Sequence, residues 1–223
     1  MGRLIVFEGL DGCGKSTQIA LAREGLERAG HTIRQIKLPD YESRSSELVK
    51  MYLAGEFGGS AGDVNAYAAS SFYAVDRFAS FNMDWKMDYE SETLILADRY
   101  TTSNPTYQLP KLPKEEWDAY LDWLEEYEYE KLGLPRPDVT IFLDMPIAIS
   151  QRLMTERYSG DESKKDVHES NVKFLNDCRE AALYTANRWN YIIIPCSEGD
   201  APRSIESISA DIAEVLSKCT QND

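Results

Sequence analysis

The chain has 223 residues and a formal net charge of -14 at pH 7. Its length suits a single domain, residues 1–223, built around one apolar core. The excess of carboxylates argues against general binding to nucleic acid or to anionic membranes, because both partners demand basic surface patches.

Five short runs of apolar and β-branched residues predict strands: RLIVF (3–7), TIRQIKL (32–38), TLILAD (93–98), VTIFLD (139–144) and YIIIPC (191–196). The stretches between them are longer and have helical periodicity. This alternation favours βαβ units, and therefore an α/β fold with a doubly wound parallel sheet that helices cover on both faces.

The first turn of the chain has the sequence FEGLDGCGKSTQ (7–18), between the first strand and a helix predicted for residues 15–29. It contains Gly9-x-x-x-x-Gly14-Lys15-Ser16, the phosphate-loop pattern. Glycines let successive backbone N–H groups converge on phosphate oxygens, and the helix N-terminus adds the positive end of its dipole. The segment therefore predicts binding of a nucleoside triphosphate.

Within this loop, Lys15 is expected to bridge the β- and γ-phosphates and the Ser16 hydroxyl to ligate Mg²⁺. The third predicted strand ends in Asp98, which can hold the same Mg²⁺ through water, and the adjacent Arg99 can reach a second phosphate. The loop residues expected at the triphosphate are Gly9, Asp11, Gly12, Cys13, Gly14, Lys15, Ser16 and Thr17.

The clearest amphipathic helix is predicted for KEEWDAYLDWLEEYEYEKLG (114–133). One side carries the apolar and aromatic residues at helical spacing, and the carboxylates are expected on the solvent side. The segment LPRPD (134–138) then breaks the helix before the fourth strand.

The four cysteines show neither C-x-x-C pairs nor zinc-site spacing, so reduced thiols in the cytoplasm are expected. The apolar run LIVF is broken by Glu8, and nowhere do about 18 apolar residues follow one another. Neither a targeting signal nor a membrane span is therefore predicted.

Four segments, in their order and spacing, resemble the thymidylate kinases: FEGLDGCGKSTQ (7–18), FYAVDRF (72–78), DRYTTSNPTYQ (98–108) and LPRPDVTIFLD (134–144). The resemblance covers essentially the whole chain. It implies a five-stranded P-loop kinase with a helical lid, usually a homodimer, whose substrates are ATP and dTMP. The implied reaction is Mg²⁺-dependent transfer of the γ-phosphoryl group of ATP to dTMP.

The resemblance also implies roles at the base and sugar of the acceptor. Asp11 matches the carboxylate that contacts the 3′-hydroxyl. Tyr73 resembles the aromatic residue that stacks on thymine, with Phe72 as the alternative, and Arg77 resembles the donor to a base carbonyl. Tyr73 and Arg77 are four residues apart, so a helix places them on one face.

Arg99 resembles the clamp on the acceptor phosphate, and Ser103 lies where the family has a hydroxyl near the base edge. Tyr107 resembles the ring under the sugar that leaves no room for a 2′-hydroxyl. Gln108 matches a polar residue that lines the site. Arg44 is near the position of a second phosphate-binding arginine in some members, although the local match is loose.

Some thymidylate kinases carry an arginine at the position of Gly12, whereas others have glycine there and supply the cation from a lid. This chain has the second pattern, so the cation is expected from residues 151–169. Arg157 is expected to stabilise the transferring phosphoryl group and Arg152 to lie over the adenine. Lys164 and Lys165 replace an arginine of the family pattern, and a solvated surface pair is the alternative interpretation.

In-line transfer to an acceptor oxygen that is already anionic requires positioning and charge neutralisation rather than a general base. The residues expected to act in this step are Lys15, Arg99, Arg157 and Asp98. A deoxynucleoside kinase is the alternative enzyme, with Asp98 as the base that its neutral hydroxyl acceptor needs. A nucleotide-binding switch protein is a third hypothesis, but the N-K-x-D guanine motif is absent.

Overall fold

The structure is a computed structural model that describes residues 2–58, 62–157 and 172–220, with the backbone alone for residues 156 and 157. Five parallel strands form one sheet, as the sequence predicts, and their order is β2–β3–β1–β4–β5. Their bounds are β1 Arg3–Glu8, β2 Ile33–Lys37, β3 Leu94–Asp98, β4 Val139–Asp144 and β5 Ile192–Pro195. A short antiparallel hairpin follows, β6 Ser197–Glu198 with β7 Ala201–Pro202.

The described α-helices are α1 Lys15–Arg28, α2 Glu47–Leu53, α3 Ala66–Ser80, α4 Lys86–Glu90, α5 Ser103–Gln108, α6 Trp117–Glu125, α7 Ile147–Arg157, α8 Val172–Arg188 and α9 Ile205–Thr220. A π-helical turn, Phe81–Trp85, joins α3 to α4. The predicted first helix ends as expected at Gly30, whose N–H donates to Glu27 O while that of His31 donates to Leu26 O. This paired arrangement caps the helix because glycine adopts the left-handed conformation without strain.

The apolar core lies on both faces of the sheet, because successive side chains of a strand point to opposite sides. Ile5 and Phe7 of β1 pack in the cluster that includes residues of α1 and α9. Leu4 and Val6 pack on the other face, in the cluster that contains Trp85. These four side chains of β1 are fully buried, which is why residues 4–7 form an unbroken apolar run in the sequence.

The predicted helix over residues 114–133 is present, but its form differs. Residues 114–116 form a 3₁₀ turn, α6 covers Trp117–Glu125, and Glu126–Lys131 form a π-helical turn. Glu128, expected on the solvent side with the other carboxylates, is fully buried. It follows the buried Leu124 by four residues and Leu121 by seven, so helical spacing places it on the apolar side of the helix.

The segment predicted as a lid, 151–169, is only partly described. Its first seven residues are the end of α7, and residues 158–169, with Lys164 and Lys165, lie outside the described residues. No helix within the described ranges combines the length and apolar character that a bilayer crossing needs.

Candidate active site

The phosphate loop connects β1 to α1 through a backbone that only glycine adopts freely. Gly9, Gly12 and Gly14 have φ values of 150°, 79° and 87°. A Cβ on Gly9 would lie 2.7 Å from the sulfur of Cys13 and 2.9 Å from the carbonyl oxygen of Leu143. The loop therefore has the tight, left-handed turns on which a backbone cradle for phosphate depends.

Gly12 is covered by α7. A Cβ at this position would lie 2.9 Å from Met154 Cγ and 3.0 Å from the Ser150 carbonyl oxygen. The left-handed backbone and the helix that covers it explain the glycine at this position. Some members of the family that the sequence resembles have arginine here.

Lys15, Ser16 and Asp98 lie where the triphosphate and its metal are predicted. Lys15 is buried, and its Nζ donates to Gly9 O at 3.3 Å and lies 3.9 Å from Asp98 Oδ1. This Asp98 oxygen is buried and accepts no hydrogen bond from the described part of the chain. Ser16 and Thr17 are exposed on the first turn of α1. An exposed hydroxyl and a carboxylate oxygen that accepts no hydrogen bond from the described residues fit the hard, oxygen-seeking Mg²⁺ ion.

Arg99 stands at the boundary between the phosphate loop and a neighbouring cavity. Its backbone is left-handed, with φ of 70°, a conformation that costs energy for a non-glycine residue and often marks functional sites. Its Nη2 donates to Asp11 Oδ1 at 2.7 Å, and its guanidinium lies 5.4 Å from the Tyr107 ring centroid. Burial opposes the charge of Asp11, but Arg99 and Lys15 hold the pKa of this carboxyl below its ordinary value.

The cavity beside Arg99 has a volume of about 290 Å³. All seven residues predicted to bind the acceptor line it: Asp11, Tyr73, Arg77, Arg99, Ser103, Tyr107 and Gln108. Phe72, the alternative to Tyr73, packs instead against Phe57, with ring centroids 5.3 Å apart. The structure thus brings side chains from the loop, α3 and α5 into one pocket next to the triphosphate site.

Arg77 is fixed at the base of this cavity by Glu128. Its Nε and Nη2 donate to the two carboxylate oxygens at 2.7 and 2.5 Å, and Thr101 and Asn104 donate to the same carboxylate. Burial would lower the pKa of Arg77, but Glu128 raises it. Arg77 is therefore charged and rigidly oriented. Neither Glu128 nor Asn104, which also lines the cavity, was predicted from the sequence.

Glu8 is a second buried carboxylate that the sequence analysis did not assign. It accepts hydrogen bonds from the hydroxyls of Thr102 and Ser103 and from the N–H of Tyr100. Burial raises its pKa, against the opposing influence of Arg99. Ser103 thus lines the cavity while its hydroxyl donates to Glu8. The sequence signal for Glu8 was its position in FEG (7–9), where the apolar first strand meets the phosphate loop.

Of the remaining predicted residues, Arg152 and Arg44 lie away from these contacts. Arg152 is exposed, and its Nη2 donates to the carbonyl oxygen of Asp200, next to the β6–β7 hairpin. Arg44 is exposed and does not line the acceptor cavity. The backbone of Arg157 ends α7, and its side chain is outside what the structure describes.

Comparison with known proteins gives one consistent family. A family model described as thymidylate kinase matches residues 7–212. The chain is 31% identical to the thymidylate kinase of Mycobacterium tuberculosis over 158 residues, which cover 70% of this chain and 71% of that protein. It is 27% identical to the human thymidylate kinase, with 97% of this chain and 90% of that protein covered.

A comparison with solved structures finds a similar fold in a protein of the same name. The solved structure of the thymidylate kinase of Candida albicans superposes with a TM-score of 0.72 at 21% sequence identity. It covers all of this chain and 94% of that one. This likeness confirms the predicted parallel-sheet P-loop kinase fold.

The contact between α7 and Gly12 predicts that G12A destabilises the protein. The added Cβ meets Ser150 and Met154, and misfits of this kind typically cost about 1–3 kcal/mol in addition to left-handed strain. G30A is the matched control, because Gly30 has φ of 92° but no atom within 4 Å of its added Cβ. Urea unfolding should show a larger loss for G12A than for G30A; equal losses would contradict the contact.

The burial of Glu128 predicts that E128Q lowers the free energy of unfolding by about 3–5 kcal/mol, because it leaves the buried Arg77 charge uncompensated. Glu130 is two residues further on, is 62% exposed and pairs with Arg136. The control E130Q should therefore cost less than about 1 kcal/mol. Denaturant unfolding of both variants measures the difference, and similar values would show that the Arg77–Glu128 pair contributes little.

Proposed function

Because the chain belongs to the thymidylate kinase family, we propose that it transfers the γ-phosphoryl group of ATP to dTMP in the presence of Mg²⁺, giving ADP and dTDP. It is a phosphotransferase of the nucleoside monophosphate kinase type. The observation that carries the assignment of the site is the Asp11–Arg99 pair, which links the phosphate loop directly to the acceptor cavity.

Catalysis in this site rests on placing two anionic nucleotides end to end. The phosphate loop and Lys15 hold the triphosphate, and Arg99 holds the acceptor phosphate at the near end of the cavity. Asp11, which now pairs with Arg99, then becomes available to the 3′-hydroxyl of the acceptor. No proton has to be removed, because the attacking phosphate oxygen is already anionic, so orientation and charge neutralisation carry the reaction.

Asp98 and the hydroxyl of Ser16 are the residues that would hold Mg²⁺. When bound, Mg²⁺ neutralises charge on the phosphate oxygens. Lys15 Nζ lies 3.9 Å from Asp98 Oδ1 and donates to Gly9 O of the loop. Arg157 remains our candidate for stabilising the transferring phosphoryl group from the lid, and Arg152 for contact with the adenine.

Selectivity for the acceptor follows from the cavity walls. The ring of Tyr73 can stack on the base, and the fixed guanidinium of Arg77 can donate to a base carbonyl. The hydroxyl of Tyr107 lies 3.4 Å from Asp11 Oδ2, so its ring is held where the sugar is proposed to bind. A single methyl group is worth only about 1–3 kcal/mol in an apolar pocket, so dUMP should be a poor but measurable acceptor.

A deoxynucleoside kinase is not favoured by the comparisons. That reaction needs a free carboxylate at a neutral hydroxyl. In this chain Glu8 is occupied by three donors, and Asp98 lies beside Lys15.

We expect the protein to work in a reducing compartment and to bind neither nucleic acid nor membranes. The four cysteines Cys13, Cys178, Cys196 and Cys219 are free thiols, and burial raises the pKa of Cys13, which keeps its thiol protonated. Such thiols are typical of cytoplasmic proteins. The net charge of -14 disfavours polyanionic partners.

The run of helix from α3 to α4 supports a homodimer. Val75 and Phe78 are 46% and 41% exposed, and Met83 and Met87 are 81% and 84% exposed. Apolar side chains grouped on one exposed helical run are typical of an interface. This surface lies over the face of the sheet opposite to α1 and α9.

The function is tested with an acceptor panel of dTMP, dUMP, dCMP, UMP and thymidine in a coupled ADP assay with MgATP. dTMP should give the fastest turnover and thymidine none. K15A should lower kcat by a factor of at least about 10²–10³, the usual loss when one preorganised hydrogen-bond donor is removed. K218A, at a lysine that is 71% exposed and paired with Glu214, is the control and should match the wild type. Turnover of thymidine but not dTMP would refute the assignment.

The dimer proposal predicts a solution mass of twice the chain mass by light scattering. M83E combined with M87E should shift the protein toward the monomer, because two carboxylates would be buried in an apolar contact. I205E changes a residue that is 51% exposed on α9, on the other side of the sheet, and should leave the mass unchanged. A wild-type monomer at micromolar concentration would exclude this interface.

A further inference from the structure

We propose that Lys111 is a positioning residue for the acceptor site: through Tyr52 and the backbone of Val64 it ties together the three segments that wall the acceptor cavity. The proposal rests on the proposed function, because it concerns the pocket assigned to dTMP. It adds a residue that lies outside the cavity lining itself.

The three segments come from separate parts of the chain. The first is α5 with the following 3₁₀ turn, Leu109–Lys111, and supplies Tyr107 and Gln108. The second is α2, which supplies Tyr52 and Leu53. The third is α3, which supplies Tyr73 and Arg77 and begins directly after residues 62–65. No strand joins these segments, so side-chain contacts have to fix their relative positions.

Lys111 contacts both of the other segments, and its ammonium also lies 5.1 Å from the centroid of the Tyr52 ring. Its Nζ donates to Tyr52 Oη at 2.9 Å and to the carbonyl oxygen of Val64 at 3.1 Å. Val64 is buried, and the next residue, Asn65, caps α3 by accepting from the N–H of Ala68. One ammonium group therefore connects the wall that carries Gln108 to α2 and to the start of α3.

Tyr52 carries this connection into the cavity. Its ring lines the cavity and meets the ring of Tyr73 edge-on, with centroids 6.3 Å apart and planes at 87°. Burial raises the pKa of Tyr52, and the neighbouring side chain of Gln108 partly offsets this. Among the described residues, none donates a hydrogen bond to the buried Gln108 Oε1. A shift of Tyr52 would thus disturb both the stacking ring and the polar edge of the pocket.

Stability does not account for a lysine at this position. Burial lowers the pKa of Lys111 to about 8, so the charged form is disfavoured by the fold. Within the described ranges its ammonium forms no ion pair. Lys114, three residues later, shows the ordinary case: it is 64% exposed and pairs with Glu180. Methionine at position 111 keeps the unbranched chain and removes the disfavoured charge, so K111M should fold.

The test compares the steady-state kinetics of K111M with those of K114M. K111M should raise KM for dTMP by about tenfold, with kcat and KM for ATP within about twofold of the wild type, the pattern of lost ground-state binding. K114M should match the wild type in all three constants. The Kd of dTMP by calorimetry should change in parallel with KM, and K111R, which keeps a donor at this position, should recover most of the loss.

A double-mutant cycle with Y52F shows whether the effect passes through Tyr52. If it does, K111M and Y52F together should be no worse than the more severe single variant, whereas independent effects would multiply. An unchanged KM for dTMP in K111M, an equal rise in K114M, or multiplicative effects would overturn the proposal. A wild-type protein that binds dTMP but does not turn it over would instead refute the proposed function. The Kd values of dTMP for the wild type and K111M, measured by calorimetry, would then still test the role of Lys111.

Discussion

The site depends on the adjacency of β1 and β3. These strands are parallel, and Phe7 pairs with Asp98, so the phosphate loop and residues 98–100 leave the sheet at the same edge. The left-handed Arg99 then turns its side chain back to Asp11 of the loop, 2.7 Å away. One ion pair thereby joins the place where a triphosphate is expected to the place where an acceptor is expected, and the order of strands makes it possible.

Two buried carboxylates shape the cavity around that ion pair. Glu8 and Glu128 are 2% and 0% exposed, and the described donors to them come from residues 100–104 and from Arg77. A buried charge is unfavourable unless it is fully hydrogen-bonded, and both carboxylates meet this condition. Their benefit is orientation: they fix Ser103, Thr101, Asn104 and Arg77 in single geometries, which a binding site for a small planar base requires.

Much of this arrangement could be predicted from the sequence, and the two exceptions have different causes. Strand positions, the loop and the Tyr73–Arg77 spacing depend on neighbours a few residues apart, and they were found. Glu128 was assigned to the wrong side of its helix because all carboxylates of the segment were treated as one solvated face, although Glu128 follows the buried Leu124 by four residues. The contact of Lys111 with Tyr52 joins residues 59 positions apart, which no local pattern encodes.

The two arginines of the cavity differ in what surrounds their partners, and this difference supports the separate roles that we propose for them. Glu128 is fully buried, so exchanging it for a ligand would strand its charge, and Arg77 can offer only a directed N–H to an uncharged base. Asp11 is 41% exposed in its side chain, so water can solvate it when Arg99 leaves. Arg99 is therefore free to exchange one anion for another, which is the behaviour that a phosphate clamp needs.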